Sequence, residues 1–482
     1  MRFLHLEDEQ KELTYEDIFL VPQHSTIHSR MDVDLTPDGH FGMTLPVVVA
    51  NMNAVAGKRM AETVTRRGGL VVLPQDHSFE RMAETIKYVK ARHHTFETPV
   101  VLKKEESVQT ALNLISKRSH GAVMIVDEQG KPVGIFTEKD AIDRDRFSRL
   151  ADVMTTDLIT VPSTATPEEI FATLHERRVS IVPVVDADGK LVGVMTKRGA
   201  LRTKFYRPAL NIQEELLTSA AVSIGERLEQ TVEQLLNLGV DILVLDAAHG
   251  DNARMIEAIA RVRAMIGPDR PLAAGNIVTE EAALRFMEAG ATILKVGVGP
   301  GAMCKTRMMT GVGRPQFSAV WRIARLARTR GVSVWADGGI KYPRDVALAL
   351  AAGAQAAMIG TWFAGTYESA ADIRMDEHGR LFKENFGMAS TRAVTDRTRR
   401  LEPFDQTLKQ FFDEGTSHSR LYLKPGEESV EDILDQITAG VRSACTYSGA
   451  RNLAEFHERA VVGVQTQAGY QEGKPVQESW GV

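Results

Sequence analysis

Eight short runs of β-branched and apolar residues, each separated from the next by a helical stretch, limit the fold of this chain more than any other feature. They are "LPVVVAN" (45–51), "GLVVLP" (69–74), "LTSAAVSI" (217–224), "DILVLDA" (241–247), "PLAAGNI" (271–277), "TILKVGV" (292–298), "SVWADGG" (333–339) and "QAAMIGT" (355–361). Strands that are apolar along their whole length belong to parallel sheets covered on both faces by the crossover helices. Eight such units predict an α/β fold closed into a (β/α)8 TIM barrel, with a doubly wound open sheet as the runner-up. The interval between the second and third runs is far too long for one helix and marks an insertion.

That interval holds an internal repeat. Residues 121–142, "GAVMIVDEQGKPVGIFTEKDAI", match residues 180–201, "SIVPVVDADGKLVGVMTKRGAL". Val123, Val126, Asp127, Gly130, Lys131, Val133, Gly134, Thr137 and Ala141 recur as the same residue in the second copy. Each copy follows a helical stretch and reads strand, Asp-x-x-Gly turn, strand, helix start. Units of about 60 residues bury too little alone, so the copies are expected to pack on each other. The pair resembles tandem cystathionine-β-synthase (CBS) modules, a Bateman domain, whose family binds adenine or guanine nucleotides. That resemblance implies a regulatory ATP or GTP at Gly134, Thr137 and Asp140, with Asp140 on the ribose hydroxyls. The second copy keeps Gly193 and Thr196 but has Gly199 in place of the acid, so one ribose contact is missing there. A purely structural pair is the competing reading. The division that follows is 1–92 for the first part of the catalytic barrel, 93–205 for the insert, and 206–482 for the rest of the barrel with its active-site loop and flap.

Reacting groups of such a barrel sit where strands end and loops begin. The first run ends in Asn51-Met52-Asn53, the fourth in Asp246, the fifth in Gly275-Asn276, and the sixth in Gly297, Gly299 and Gly301 before Cys304. The seventh ends in Asp337-Gly338-Gly339 and the eighth in Gly360-Thr361. Glycine-rich strand ends followed by helices suit a phosphate, because backbone N–H groups can approach it closely. Asp337 is placed to accept from ribose hydroxyls, its plainer alternative being a helix cap. Asp246 could equally be a satisfied strand-end acid, and His249 an exposed loop residue. Cys304 is one of only two cysteines. A lone thiol is ordinarily a small buried hydrophobe, which suits Cys445. In a glycine loop with Lys305 and Arg307 beside it, Cys304 instead suits a nucleophile favoured as its thiolate.

Other motifs fail inspection. "GVGPG" lacks the glycine spacing and downstream acid of a dinucleotide fingerprint. "CKT" puts Cys304 where a Walker A loop needs glycine, and "RHH" (92–94) lacks further ligands at zinc spacing, so no metal site is expected. Lys plus Arg (58) nearly balances Asp plus Glu (63), which gives no reason to expect a nucleic-acid or membrane partner. No apolar run approaches the roughly 18 residues of a membrane span. The acidic start "MRFLHLEDEQ" does not read as a signal peptide, and two distant cysteines point to the reducing cytoplasm.

A second resemblance covers nearly the whole chain. "LTYEDIFLVPQHST" is similar to the N-terminal signature of the IMP dehydrogenase/GMP reductase family. "AAGNIVTEEAALRFMEAGATILKVGVGPGAMCKTRMMTGVGRPQ" resembles its catalytic stretch and "ADGGIKYPRDVALALAAGAQAAMIGTWFAG" its phosphate cradle, with "ENFGMAS" and "RSACTYSGA" following in order. The resemblance implies that Cys304 attacks C2 of a purine nucleotide to give a thioimidate. It assigns Thr306 and Glu414 to relay a proton. Met52, Gly301, Asp337, Gly338, Gly339, Gly360, Thr361, Gly387 and Met388 are assigned to the nucleotide, and Asp246, Asn276, Gly297 and Gly299 to the nicotinamide cofactor.

Direction turns on whether the site can activate water. Dehydrogenases of the family carry an Arg-Tyr pair on a flap, and the corresponding interval here, "TRAVTDRTRRLEPFDQTLKQFFDEG" (391–415), has none. "RSACTYSGA" also looks closer to the reductase version. The expectation is therefore NADPH-dependent reductive deamination of GMP to IMP and ammonia. The alternatives are IMP dehydrogenase using NAD and water, or a catalytically silent purine-nucleotide sensor. The CBS insert and the length of the flap interval favour the dehydrogenase. Three residues depart from the family pattern at the phosphate: Ala302 for Ser, Asn385 for Tyr and Thr361 for Ser. Loss of one hydrogen bond to a charged group costs about 1.5–3 kcal/mol unless replaced. Lys305 stands for the usual Thr after the nucleophile, where its ammonium could fill or repel the monovalent cation that dehydrogenases bind. The family forms tetramers and, with CBS inserts, octamers, so a homo-oligomer is expected.

Overall fold

The computed structural model describes residues 1–39, 41–386 and 418–474, together with Phe404. All eight apolar runs are strands: Val47–Val49, Leu70–Leu73, Ser219–Val222, Ile242–Asp246, Leu272–Ile277, Ile293–Val296, Ser333–Asp337 and Ala356–Ile359. Every neighbouring pair is parallel, the eighth strand pairs with the first and the second with the third, so the sheet closes. Alternation along each strand sorts the side chains. Val48, Leu70, Val72, Ala221, Ile242, Val244, Ala273, Ile293, Trp335, Ala356 and Met358 fill the lumen. The intervening residues, such as Val47, Leu243, Leu245, Leu294 and Val334, join the outer core under the helices. The helix Gln316–Arg328 shows the matching period, burying Phe317, Val320, Trp321, Ala324 and Ala327 against strands six and seven. No described helix is long and apolar enough to cross a membrane.

The insert leaves the barrel after the helix Phe79–Lys90 and returns before strand three. Its two copies each build a three-stranded sheet, from Val100–Leu102, Ala122–Val126 and Pro132–Thr137, and from Val161–Pro162, Ile181–Val185 and Leu191–Thr196. The shared Asp-x-x-Gly turns are made alike. Asp127 Oδ1 accepts from the backbone N–H groups of Gln129 and Lys131, and Asp186 Oδ1 from those of Asp188 and Lys190. Ala122 and Met124 of the first copy meet Ile181 and Val194 of the second in one buried cluster. Val123 and Ile125 face their own helix, Val108–Ile115, instead. The copies differ where they end. The first closes in a 3-10 turn, Glu138–Ala141, followed by Asp143 in a left-handed conformation, whereas the second runs on into the helix Lys197–Phe205.

Trp335 is 2 % exposed and is the largest side chain of the lumen. Trp335→Ala is therefore expected to destabilise the barrel by about 3–5 kcal/mol. Denaturant unfolding followed by far-UV circular dichroism will show this as a lowered midpoint.

Candidate active site

The alternation that fills the lumen also decides what caps it. Lys295 follows Ile293 on the inward face of strand six, Asp246 follows Val244 on strand four, and Asp337 follows Trp335 on strand seven. The last layer is thus charged. Lys295 Nζ is ion-paired with Asp246 Oδ1 and lies 3.4 Å from Asp337 Oδ2. Asn51 Nδ2 donates to Asp246 Oδ2 at 2.9 Å, and Asn276 Nδ2 donates to Asp337 Oδ2 at 2.9 Å and to the Gly297 carbonyl at 2.7 Å. Lys295 is 1 % exposed and the two acids about one-fifth exposed. Burial opposes the Lys295 charge, but Asp246 and Asp337 outweigh it and hold the ammonium above its ordinary pKa. Burial likewise pushes the Asp246 carboxyl up, and Lys295 with the Asn51 hydrogen bond brings it below the usual carboxylate range. Gly275 makes room for this lysine, since a Cβ there would stand 2.4 Å from the Lys295 Cβ. Sequence reasoning treated the run "TILKVGV" only as a strand. The missed signal was a charge inside an apolar, inward-facing run.

The loop after strand six is fixed at both ends. The chain leaves the strand at Gly297, where a Cβ would fall 2.1 Å from the Asp337 carbonyl oxygen, so no larger residue fits. Gln316 Nε2 donates to the carbonyls of Val296, at 2.7 Å, and Asp337, at 3.2 Å, tying the sixth strand to the seventh. Arg314 closes the far end on Glu12, with both bonds at 2.9 Å, and on Glu280 at 3.1 Å. Between these anchors Cys304 is exposed, and its thiol donates to Thr306 Oγ1 at 3.2 Å. Cys445, by contrast, is buried in the helix Val430–Tyr447, and burial pushes its thiol up to about 12.

A cavity of about 240 Å³ opens here. Every described residue expected to act on the nucleotide lines it: Met52, Gly301, Cys304, Thr306, Asp337, Gly338, Gly339, Gly360 and Thr361, with Lys305 and Ala302 beside them. Asp337 is no helix cap, because Asp345 accepts from the backbone N–H groups of Lys341 and Tyr342 and caps the helix Pro343–Ala351. Gly338 and Gly339 have φ of 89° and 79°, the left-handed region that lets two successive peptides turn toward one ligand. Asp246, Asn276, Gly297 and Gly299 stand outside the cavity lining. The Asn276 side chain joins Asp337 to the Gly297 carbonyl. Asn276 Oδ1 is buried and without a hydrogen-bond partner among the described residues, so this corner offers an acceptor that an amide or ribose hydroxyl would satisfy. Asn385 is fully buried, and neither amide atom is hydrogen-bonded among the described residues. Its strand, Leu381–Phe386, pairs with His418–Tyr422, whose Ser419 hydroxyl reaches Met303 Sδ at 3.5 Å. His249 is an exposed loop residue. Gly134, Thr137, Asp140 and Thr196 lie in the insert, away from this lining. Glu414, Gly387 and Met388 fall outside the described residues.

A closed parallel barrel with an exposed cysteine over a glycine-lined cavity at its strand ends defines an α/β-barrel enzyme. This chain belongs to the IMP dehydrogenase/GMP reductase family, whose domain matches residues 12–476. It is 50% identical over 481 residues to the GMP reductases of Mycobacterium bovis and Mycobacterium tuberculosis, with all of each chain covered. It is 34% identical to the inosine-5'-monophosphate dehydrogenase of Aquifex aeolicus, covering 95% of this chain and 94% of that one. Among solved structures it is similar to a cysteine-to-alanine GMP reductase of Trypanosoma brucei in complex with guanosine 5'-monophosphate. The TM-score is 0.66 at 29% identity, over 97% of this chain and 98% of that one.

Removing one partner from a buried ion pair costs about 3–5 kcal/mol. Lys295→Met leaves Asp246 and Asp337 without their cation, so a loss of thermal stability and at least a roughly 100-fold fall in kcat/KM are expected. Thermal unfolding and steady-state kinetics on the same preparation check both.

Proposed function

We propose that this enzyme is a GMP reductase, converting GMP to IMP and ammonia with NADPH. The observation that carries the reading is the Cys304 thiol, exposed over the cavity and hydrogen-bonded to Thr306. Direction is supported by the gap between 50% identity to reductases and 34% to a dehydrogenase over comparable lengths. Asp337 accepts from the ribose hydroxyls, while Gly338, Gly339, Gly360 and Thr361 surround the phosphate and Met52 and Gly301 enclose the purine. Cys304 sulfur adds to C2, and the bond from C2 to the exocyclic nitrogen breaks. Thr306 hands a proton to the departing ammonia and is recharged by Glu414, leaving a thioimidate on Cys304. NADPH, when bound, supplies hydride to C2, after which the carbon–sulfur bond breaks and IMP leaves. Asp246, Asn276, Gly297 and Gly299 would hold that cofactor, with the unpaired Asn276 Oδ1 as an acceptor for it.

The insert, read as a CBS pair at 93–205, regulates the barrel through ATP or GTP at Gly134, Thr137 and Asp140, with Thr196 in the second copy. A homotetramer or octamer in the cytoplasm is the assembly this reading takes, in keeping with two unpaired cysteines. Lys305, at the cavity beside the nucleophile, takes the place of a monovalent cation. Rates with and without potassium should then agree within about twofold, and a several-fold rise would remove this role from Lys305.

The test follows reduced-nicotinamide absorbance with GMP plus NADPH and with IMP plus NAD. Oxidation in the first mixture and silence in the second are expected, and the reverse would make the chain a dehydrogenase. Cys304→Ala should lose turnover by roughly 10⁴-fold or more while still binding GMP.

A further inference from the structure

We propose that the second copy of the insert has no nucleotide site, because Glu97 fills it and converts it into a joint with the barrel. The insert then takes a single nucleotide, at Gly134–Asp140. This rests on the reading of the insert as a nucleotide-binding pair.

The two copies show the difference atom by atom. In the first, the Thr137 backbone N–H and hydroxyl donate to Asp140 Oδ2 at 2.7 and 2.8 Å. In the second, the equivalent Thr196 hydroxyl donates to Glu97 Oε1 at 3.2 Å. A Cβ at Gly199 would stand 2.1 Å from that same oxygen, so an acid at position 199 would require Glu97 to move. The other motif glycine is covered too, since a Cβ at Gly193 would lie 2.5 Å from the Phe96 Cβ. Main-chain bonds between Glu97 and Val194, at 3.0 and 2.9 Å, hold this plug in register. Gly134 of the first copy is covered in the same way, by Met154, with main-chain bonds between Thr155 and Ile135 at 2.9 Å. The copies differ in the carboxylate on the motif threonine, the half-exposed Asp140 in the first and Glu97 in the second.

Glu97 cannot simply swing aside for a ribose. It is buried, and Arg67 Nη2 of the barrel, which has no hydrogen-bond partner among the described residues, lies 3.9 Å from its Oε1. Arg67 Nε donates to Glu431 at 2.6 Å, and Glu431 also receives Arg202 at 3.2 Å from the helix that closes the insert. Arg202 continues to Asp432 at 2.7 Å and to Asp435 at 2.8 Å. Residues from both ends of the insert and two barrel helices therefore share one buried charge cluster. Withdrawing Glu97 would take away the acid nearest Arg67 Nη2, while Arg67 Nε keeps its bond to Glu431.

Calorimetric titration of ATP into the full chain, with saturating IMP in the barrel, reads the stoichiometry. One ATP per chain is expected, lost in Asp140→Ala. Two per chain would overturn the plug while keeping the insert as a nucleotide sensor, and none would overturn both. The joint is read from the change in reductase rate that ATP causes. Glu97→Ala should bind ATP within about threefold of the parent yet lose at least about fivefold of that rate response. Glu97→Gln keeps the shape and the Thr196 bond but not the charge facing Arg67. It should bind ATP as the parent does and lose part of the rate response, and an undiminished response there would overturn the joint if Glu97→Ala fails to fold. No ATP effect on the parent rate, or an undiminished one in Glu97→Ala, would overturn the joint.

Discussion

Closure of a parallel sheet forces each strand to send alternate side chains into a lumen that water does not reach, and the rest of this molecule follows from that constraint. Apolar residues fill the lower layers, with Trp335 the largest of them. At the upper rim the same alternation brings Asp246, Lys295 and Asp337 inward, where they are tolerable only as a mutually neutralising set. The acid that faces the cavity, Asp337, lies 3.4 Å from the Lys295 ammonium on the neighbouring strand. Loop geometry is built on the same rim. Gln316 ties strand six to strand seven at the point where the Cys304 loop departs. The exposed thiol is therefore carried by a loop with fixed ends.

Much of this was legible in the residues. Continuous apolar runs announced parallel strands, their number announced closure, and the long interval after the second run located the insert. Glycine and acid at strand ends marked the cavity, because a barrel exposes only those ends to a ligand. Lys295 stayed hidden because an inward-facing charge looks, in sequence, like an interruption of a strand. Its partners Asp246 and Asp337 lie 49 and 42 residues away in the chain (295 − 246 and 337 − 295) and meet it only through register. Asp337 could be told from a helix cap only once Asp345 was seen in that role.

The insert teaches a similar lesson about repeats. Alignment of the copies shows that Gly199 lacks the acid carried by Asp140, but not what occupies the vacated space. Glu97 sits outside the repeat unit as read from sequence, and it reaches Thr196 because the segment before the first copy packs as an edge strand on the second. A missing side chain in one copy is in this way compensated from a distant part of the chain, and the compensation adds a link to the barrel through Arg67 and Glu431.

The account turns on a covalent purine intermediate at Cys304 that water does not discharge. The most direct measurement is rapid-quench peptide mass spectrometry of enzyme mixed with IMP and oxidised cofactor in the absence of ammonia. A purine nucleotide attached to the peptide carrying Cys304, stable over many turnover times and with no xanthosine monophosphate released, is the predicted result. An unmodified Cys304 in an active preparation, or steady accumulation of xanthosine monophosphate, would contradict it.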